Sequence, residues 1–192
     1  MNGPRMRTVG LAIAGASVLA VVPMLVPAAA QAEERVCRGA LGAITVDNLR
    51  VPQGASCSLQ GTRVQGTVKV ERNATLYASG VRVIGNVQAE NARRATVVGS
   101  RVGGSVQVVQ GGAATVRTTA VTGDLLYDEN RAALRAVRNT VGGNIQAFQN
   151  TGGVAIRVNR VDGNLQCKAN VPAPIGGGNI VQGNKEDQCA RL

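Results

Sequence analysis

The chain has 192 residues, with 21 Lys or Arg against 11 Asp or Glu and no His, giving a formal net charge of +10. The lack of His excludes Ser-His-Asp and Cys-His catalysis and removes the commonest general base. With two Tyr, one Phe and no Trp, the chain lacks the aromatic mass of a wide globular core, but a narrow core of Val, Ile, Leu and Ala needs none.

Taken in chain order, the first 32 residues read as an export signal. Arg5 and Arg7 make a positive start, Val9 to Val26 is apolar, and Ala30-Gln31-Ala32 is a small-x-small cleavage site. The apolar run is nearly long enough to span a bilayer. Pro23, Pro27 and the cleavage site argue instead for processing, with Glu33 as the new terminus. The expected organisation is residues 1–32 as signal peptide and 33–192 as one domain. Two of the basic residues and none of the acids lie in the signal, so residues 33–192 carry a net +8. The processed protein is expected to be secreted, extracellular or associated with the cell wall, without stable membrane insertion.

From residue 64 onward one motif dominates, V-x-G followed by Asn, Ser, Thr or Asp. It starts at Val64, Val83, Val102, Val121, Val141, Val161 and Val181, with steps of 19, 19, 19, 20, 20 and 20 residues. A further apolar rung without the motif is expected around Ile44 to Leu59. Glycine before a short polar residue reads as a turn, with the glycine at positive φ and the polar side chain bonding nearby backbone. The following residues, such as Val87-Gln88-Ala89, alternate apolar and polar as a strand with one buried face does. A second β-rich stretch follows in each repeat, for example Val154 to Val158. Short strands and corners at a fixed period predict one coil per repeat, with equivalent strands pairing in parallel about 4.8 Å apart. The expected fold is all-β, a single-stranded parallel β-helix of seven to eight coils of 19–20 residues. Periods of 19 and 20 break the hexapeptide phasing of left-handed coils, so right-handed winding is expected. Asp128 to Val137 is expected as a lateral loop.

The four cysteines lie in two pairs near the ends. Cys37 and Cys57 are 20 residues apart, and Cys167 and Cys189 are 22. Each spacing is about one coil, and neighbouring coils place equivalent Cα atoms within disulfide reach. Export favours oxidation, so Cys37–Cys57 and Cys167–Cys189 are the expected bridges. The cysteines form no metal-binding C-x-x-C pairs, and no cofactor or metal is expected. The densest acidic group, Asp124, Asp128 and Glu129 beside Tyr127 and Arg131, is the best candidate for calcium or carbohydrate chemistry. Its plainer reading is a charged loop.

Three outward columns follow from the period. Arg63, Arg82, Arg101 and Arg160 each stand immediately before a motif valine and form a comb for a polyanion such as a cell-wall polymer or an acidic glycan. Nucleic acid is the weakest such partner, because stacking aromatics are missing. Gln88, Gln107, Gln146 and Gln166 are expected to bond one another as a ladder. Thr75, Thr96 and Thr115 form a third, thinner column.

The phrase Val83-Ile84-Gly85-Asn86-Val87-Gln88-Ala89, with its variants over about residues 64–169, resembles the coils of bactofilins. These are polymer-forming bacterial β-helix proteins. The tail from Gly163 to Cys189 resembles the ending of uncharacterised secreted actinobacterial repeat proteins and implies no activity. The bactofilin resemblance implies end-to-end stacking of apolar terminal coils on the cytoplasmic side. This chain departs from it by its export signal and by Lys185, Glu186, Asp187 and Gln188 in its last repeat. A polar, stapled last coil blocks edge pairing and leads us to expect a monomer. The sequence favours a non-catalytic structural or interaction protein of the cell envelope, ahead of a polyanion-binding module and a carbohydrate-active enzyme.

Overall fold

In the computed structural model, residues 33–192 and Gly3 are described, and residues 32–192 form one compact unit. The signal-peptide assignment falls outside the described residues. The described chain is an all-β parallel solenoid of eight coils and a closing strand, with no helix. Three parallel sheets run its length, of nine, eight and eight strands. In the fourth coil they take Val87–Glu90, Arg94–Val98 and Arg101–Val102 in turn. We call these faces the first, second and third sheets. Two coils precede the motif, starting at Glu34–Val36 and Asn48–Val51, where the sequence indicated one rung.

The register is the repeat itself. Val87 pairs with Val68 and Val106, and Val102 with Val83 and Val121. Each buried position therefore stacks on its equivalent one coil away, and the motif valines from Val64 to Val161 are at most 2% exposed. The core between the sheets is narrow and aliphatic, with Tyr127 as its one large exception. Tyr127 is fully buried where neighbouring coils carry Val108 and Ala147, and its hydroxyl donates to the Arg135 carbonyl at 2.9 Å.

The motif glycines do not serve the role the sequence suggested. None of the seven has a positive φ. Their requirement is close approach: a Cβ on Gly85 would lie 2.7 Å from the Gly66 carbonyl oxygen, and one on Gly163 would lie 2.6 Å from Asn144 Oδ1. The polar residue after the glycine also bonds differently from expectation. Its oxygen accepts the backbone N–H of the equivalent residue one coil away. This chain of bonds links Asn48, Thr67, Asn86, Ser105, Asp124 and Asn144 and continues to Asn184. Positive φ occurs at the other two corners, as at Gly80 (61°), Gly99 (57°), Thr118 (51°), Arg138 (56°) and Val158 (56°) between the second and third sheets.

Those two corners carry buried ladders of their own. Between the first and second sheets stand Asn130, Asn150 and Asn170; between the second and third stand Asn139, Asn159 and Asn179, all at most 6% exposed. Each Asn Nδ2 in the middle of a ladder donates to the next Asn Oδ1 and to a backbone carbonyl of the preceding coil, 23 residues back, as Asn150 does to Asn170 Oδ1 and the Tyr127 carbonyl. Among the described residues no buried side-chain polar atom lacks a partner. The change of period from 19 to 20 is one extra residue between Asn130 and Leu134 at the corner. Asp128 to Val137 is thus part of the coil, with Leu134–Val137 a strand of the second sheet, and not a lateral loop.

Both disulfides are present as expected. Cys37–Cys57 and Cys167–Cys189 have Cα separations of 5.6 and 5.2 Å and close the two ends of the core. Such bridges fit an oxidising, extracytoplasmic setting. In the closing strand Lys185 and Asp187 stack on the core residues Leu165 and Cys167, and at the other end Arg35 stacks on Leu49. The Gln188 side chain caps the Asn ladder by accepting from the Asn170 backbone N–H and Nδ2.

Candidate functional site: an arginine face

Alternation in the strands Arg63–Val64, Arg82–Val83 and Arg101–Val102 turns valine into the core and arginine to solvent. The register stacks Arg63 on Arg82 and Arg82 on Arg101, then continues through Ala120 and Thr140 to Arg160. All four sequence-derived arginines therefore share one exposed column. Its two-coil gap is filled from the side. Arg117 in the fifth coil and Arg157 in the seventh are exposed on the last outward position of the second sheet. Arg138 in the sixth stands on the corner itself.

Every coil from the second to the seventh thus presents an arginine near this corner. The track runs along the third sheet, then crosses to the second. At about 4.8 Å per coil it is about 24 Å long. At the crossing, Arg82, Arg101 and Arg138 line a shallow groove of about 480 Å³ floored by Ser100, Thr119 and Ala120. Arg138 occupies a left-handed corner that a non-glycine residue enters at a cost, and the glycines at this corner, Gly80 and Gly99, have open space where a Cβ would stand. The corner therefore presents the Arg138 side chain outward.

Charge is divided between the faces. From the start of the second-sheet strand to the end of the third-sheet strand, the eight coils hold nine arginines, no lysine and no acid. The nine are Arg63, Arg82, Arg94, Arg101, Arg117, Arg135, Arg138, Arg157 and Arg160, all exposed. All eleven acids lie on the first sheet or in the segments flanking it, where they outnumber ten basic residues by one. The net charge of the solenoid therefore resides on two of its three faces. The ion pairs among the described residues, Arg50 with Glu34 and with Glu71, are both on or beside the first sheet. An arginine-rich composition alone would not sort acids by face.

The remaining sequence candidates are dispersed or structural. Asp124 and Asp128 sit at opposite ends of the strand Leu125–Asp128, which a four-residue rise separates by about 13 Å. The Asp124 carboxylate accepts the Asn144 backbone N–H in the corner chain, and Glu129 accepts from Gln110. Burial, reinforced by the charge of Glu129, holds the Asp128 carboxyl above its ordinary value. No group of three His, Cys, Asp or Glu that could hold a metal ion occurs among the described residues. The Gln column bonds as a ladder, Gln88 to Gln107 at 3.4 Å and Gln146 to Gln166 at 3.0 Å, interrupted by Leu126. The Thr column is corrected: Thr96 stacks on Thr115, but Thr75 stacks on Arg94.

Sequence reasoning missed Arg94, Arg117, Arg135, Arg138 and Arg157 because they stand at other phases of the repeat; of these, Arg117, Arg138 and Arg157 join the track only around the corner. The available signal was the absence of acids from the second half of every repeat. No family model, curated protein or solved structure matches the chain. The likeness to bactofilin coils therefore rests on the repeat phrase alone.

Proposed function

We propose that the protein is an exported, non-catalytic solenoid that holds a linear anionic polymer of the cell envelope along its arginine track. One observation carries this reading: nine exposed arginines and no acid on two faces, against all eleven acids on or beside the third. Arginine presents a planar fork that matches phosphate and carboxylate bidentately, and the lysines, Lys69, Lys168 and Lys185, all lie on the first sheet. Coils that repeat at a fixed rise suit a ligand that also repeats. The charged end positions support a single rod. Stacking a second copy head to tail in register would set Arg35 against Lys185, two like charges over the core column.

The test uses inorganic polyphosphate as the probe and two triple variants of equal charge change. Arg82→Glu/Arg101→Glu/Arg138→Glu should lower affinity by more than about tenfold and flatten its salt dependence. Lys69→Glu/Arg72→Glu/Lys168→Glu, on and beside the first sheet, should leave affinity within about twofold. Equal losses in both variants, or no binding by the parent chain at low salt, would overturn the reading.

A further inference from the structure

The arginine track ends against an apolar coil. Residues 169–184 contain no charged side chain. In the eighth coil Ile175 takes the outward position next to Ala155 and Ile180 the one next to Arg160. Ile175 is 59% and Ile180 55% exposed, and Val158 on the adjoining corner is 55% exposed. Arg138, Thr140, Val158, Arg160 and Ile180 line one continuous depression there. Exposed aliphatic side chains at this density, on a face without acids, mark a docking surface.

We propose that this end of the face engages an anionic lipid surface, with Ile175, Ile180 and Val158 entering the headgroup–acyl boundary and Arg138, Arg157 and Arg160 meeting the headgroup phosphates. The electrostatic half rests on the arginine face being anion-binding; the apolar half is independent of it. Charge complementarity selects lipid as the occupant. The patch is shallow, the charged residues lining it are cations alone, and it combines one apolar edge with one cationic edge, as interfacial binding requires.

Residues 32–192 form a compact unit of their own, so the experiment uses the chain from Glu33. The probes are phosphatidylglycerol–phosphatidylcholine vesicles, pure phosphatidylcholine vesicles and soluble polyphosphate. The parent chain should co-sediment with the anionic vesicles and not with the neutral ones. Ile175→Ser/Ile180→Ser should weaken vesicle binding by about tenfold or more while leaving polyphosphate binding unchanged. The chain has no Trp, so Ile180→Trp supplies a single reporter whose emission should shift to the blue on anionic vesicles and stay put on polyphosphate.

Unchanged vesicle binding by the Ile175→Ser/Ile180→Ser variant, vesicle binding without a blue shift, or no vesicle binding at all would overturn the proposal. So would a dimer of the parent chain that the same variant dissolves, which would assign the patch to a second copy. Loss of polyphosphate binding alone, with vesicle binding still dependent on the two isoleucines, would overturn the polymer reading and support this one.

Discussion

Replacing Asn150 by Ala tests whether side-chain ladders at the corners hold the coils together. Asn150 is 0% exposed. Its Oδ1 accepts the Asn130 backbone N–H and Nδ2, each at 3.0 Å, and its Nδ2 donates to the Tyr127 carbonyl and to Asn170 Oδ1. Asn150→Ala removes those bonds, while the Asn150 backbone N–H keeps Asn170 Oδ1 as its acceptor. The Asn130 N–H is then stranded in a dry corner, which costs about 1–3 kcal/mol, and the other lost bonds contribute about 1 kcal/mol more. A total near 3 kcal/mol should lower the midpoint of thermal unfolding by about 6–12 °C for a domain of this size. The matched control is Gln146→Ala. Gln146 makes a comparable side-chain bond to Gln166 at 3.0 Å, but on the half-buried outer face, where water replaces it, so the expected cost is within about 0.5 kcal/mol. Circular dichroism melts of both variants, with the disulfides intact, make the comparison. If Asn150→Ala melts no further from the parent than Gln146→Ala does, the ladder is a consequence of stacking and not a support for it.

Two further outcomes bear on the core and the motif. Burial pushes the Tyr127 phenol well above its ordinary value of 10.0, whereas an unfolded tyrosine ionises near about 10. Stability is therefore retained below that pH and falls as pH rises through it. In a Tyr77→Phe background no phenolate absorbance should develop at alkaline pH until the circular dichroism signal of the fold is lost, and earlier ionisation would show that Tyr127 is not enclosed. Gly143→Ala should destabilise by about 1–3 kcal/mol, because the new Cβ meets the Gly123 backbone and the Asp124 carboxylate of the preceding coil. A melt within about 1 °C of the parent would refute close approach as the reason for the motif glycine.

The parallel stacking, the coil boundaries and the disulfide pairs were legible in the sequence for one physical reason. A strand that pairs in register with its own repeat needs the same residue at the same phase, and a cysteine one coil away lies within bonding distance. The column of Arg63, Arg82 and Arg101 was legible for the same reason. The motif glycine was recognised but misassigned, because its constraint comes from the Asn or carbonyl of the neighbouring coil and not from its own backbone angle. The supposed loop around Asp128 to Val137 was misread because a single inserted residue at a corner hides the inward phase of Leu134 and Ala136.

What the sequence by itself determined is therefore the repeat: its period, the inward valines, the polar closing strand and the stapled ends. The tertiary structure decided which residues of different phase share a face. Arg117, Arg138 and Arg157 join the arginines of the third sheet only because the chain turns a corner between them, and the acids are gathered beside the first sheet only once three phases of the repeat become three sides of a rod. Phase along the chain is a one-dimensional property that the repeat carries openly. The face a phase belongs to depends on how many residues each corner consumes, and that is set by backbone turns and buried polar ladders that form only when the coils stack.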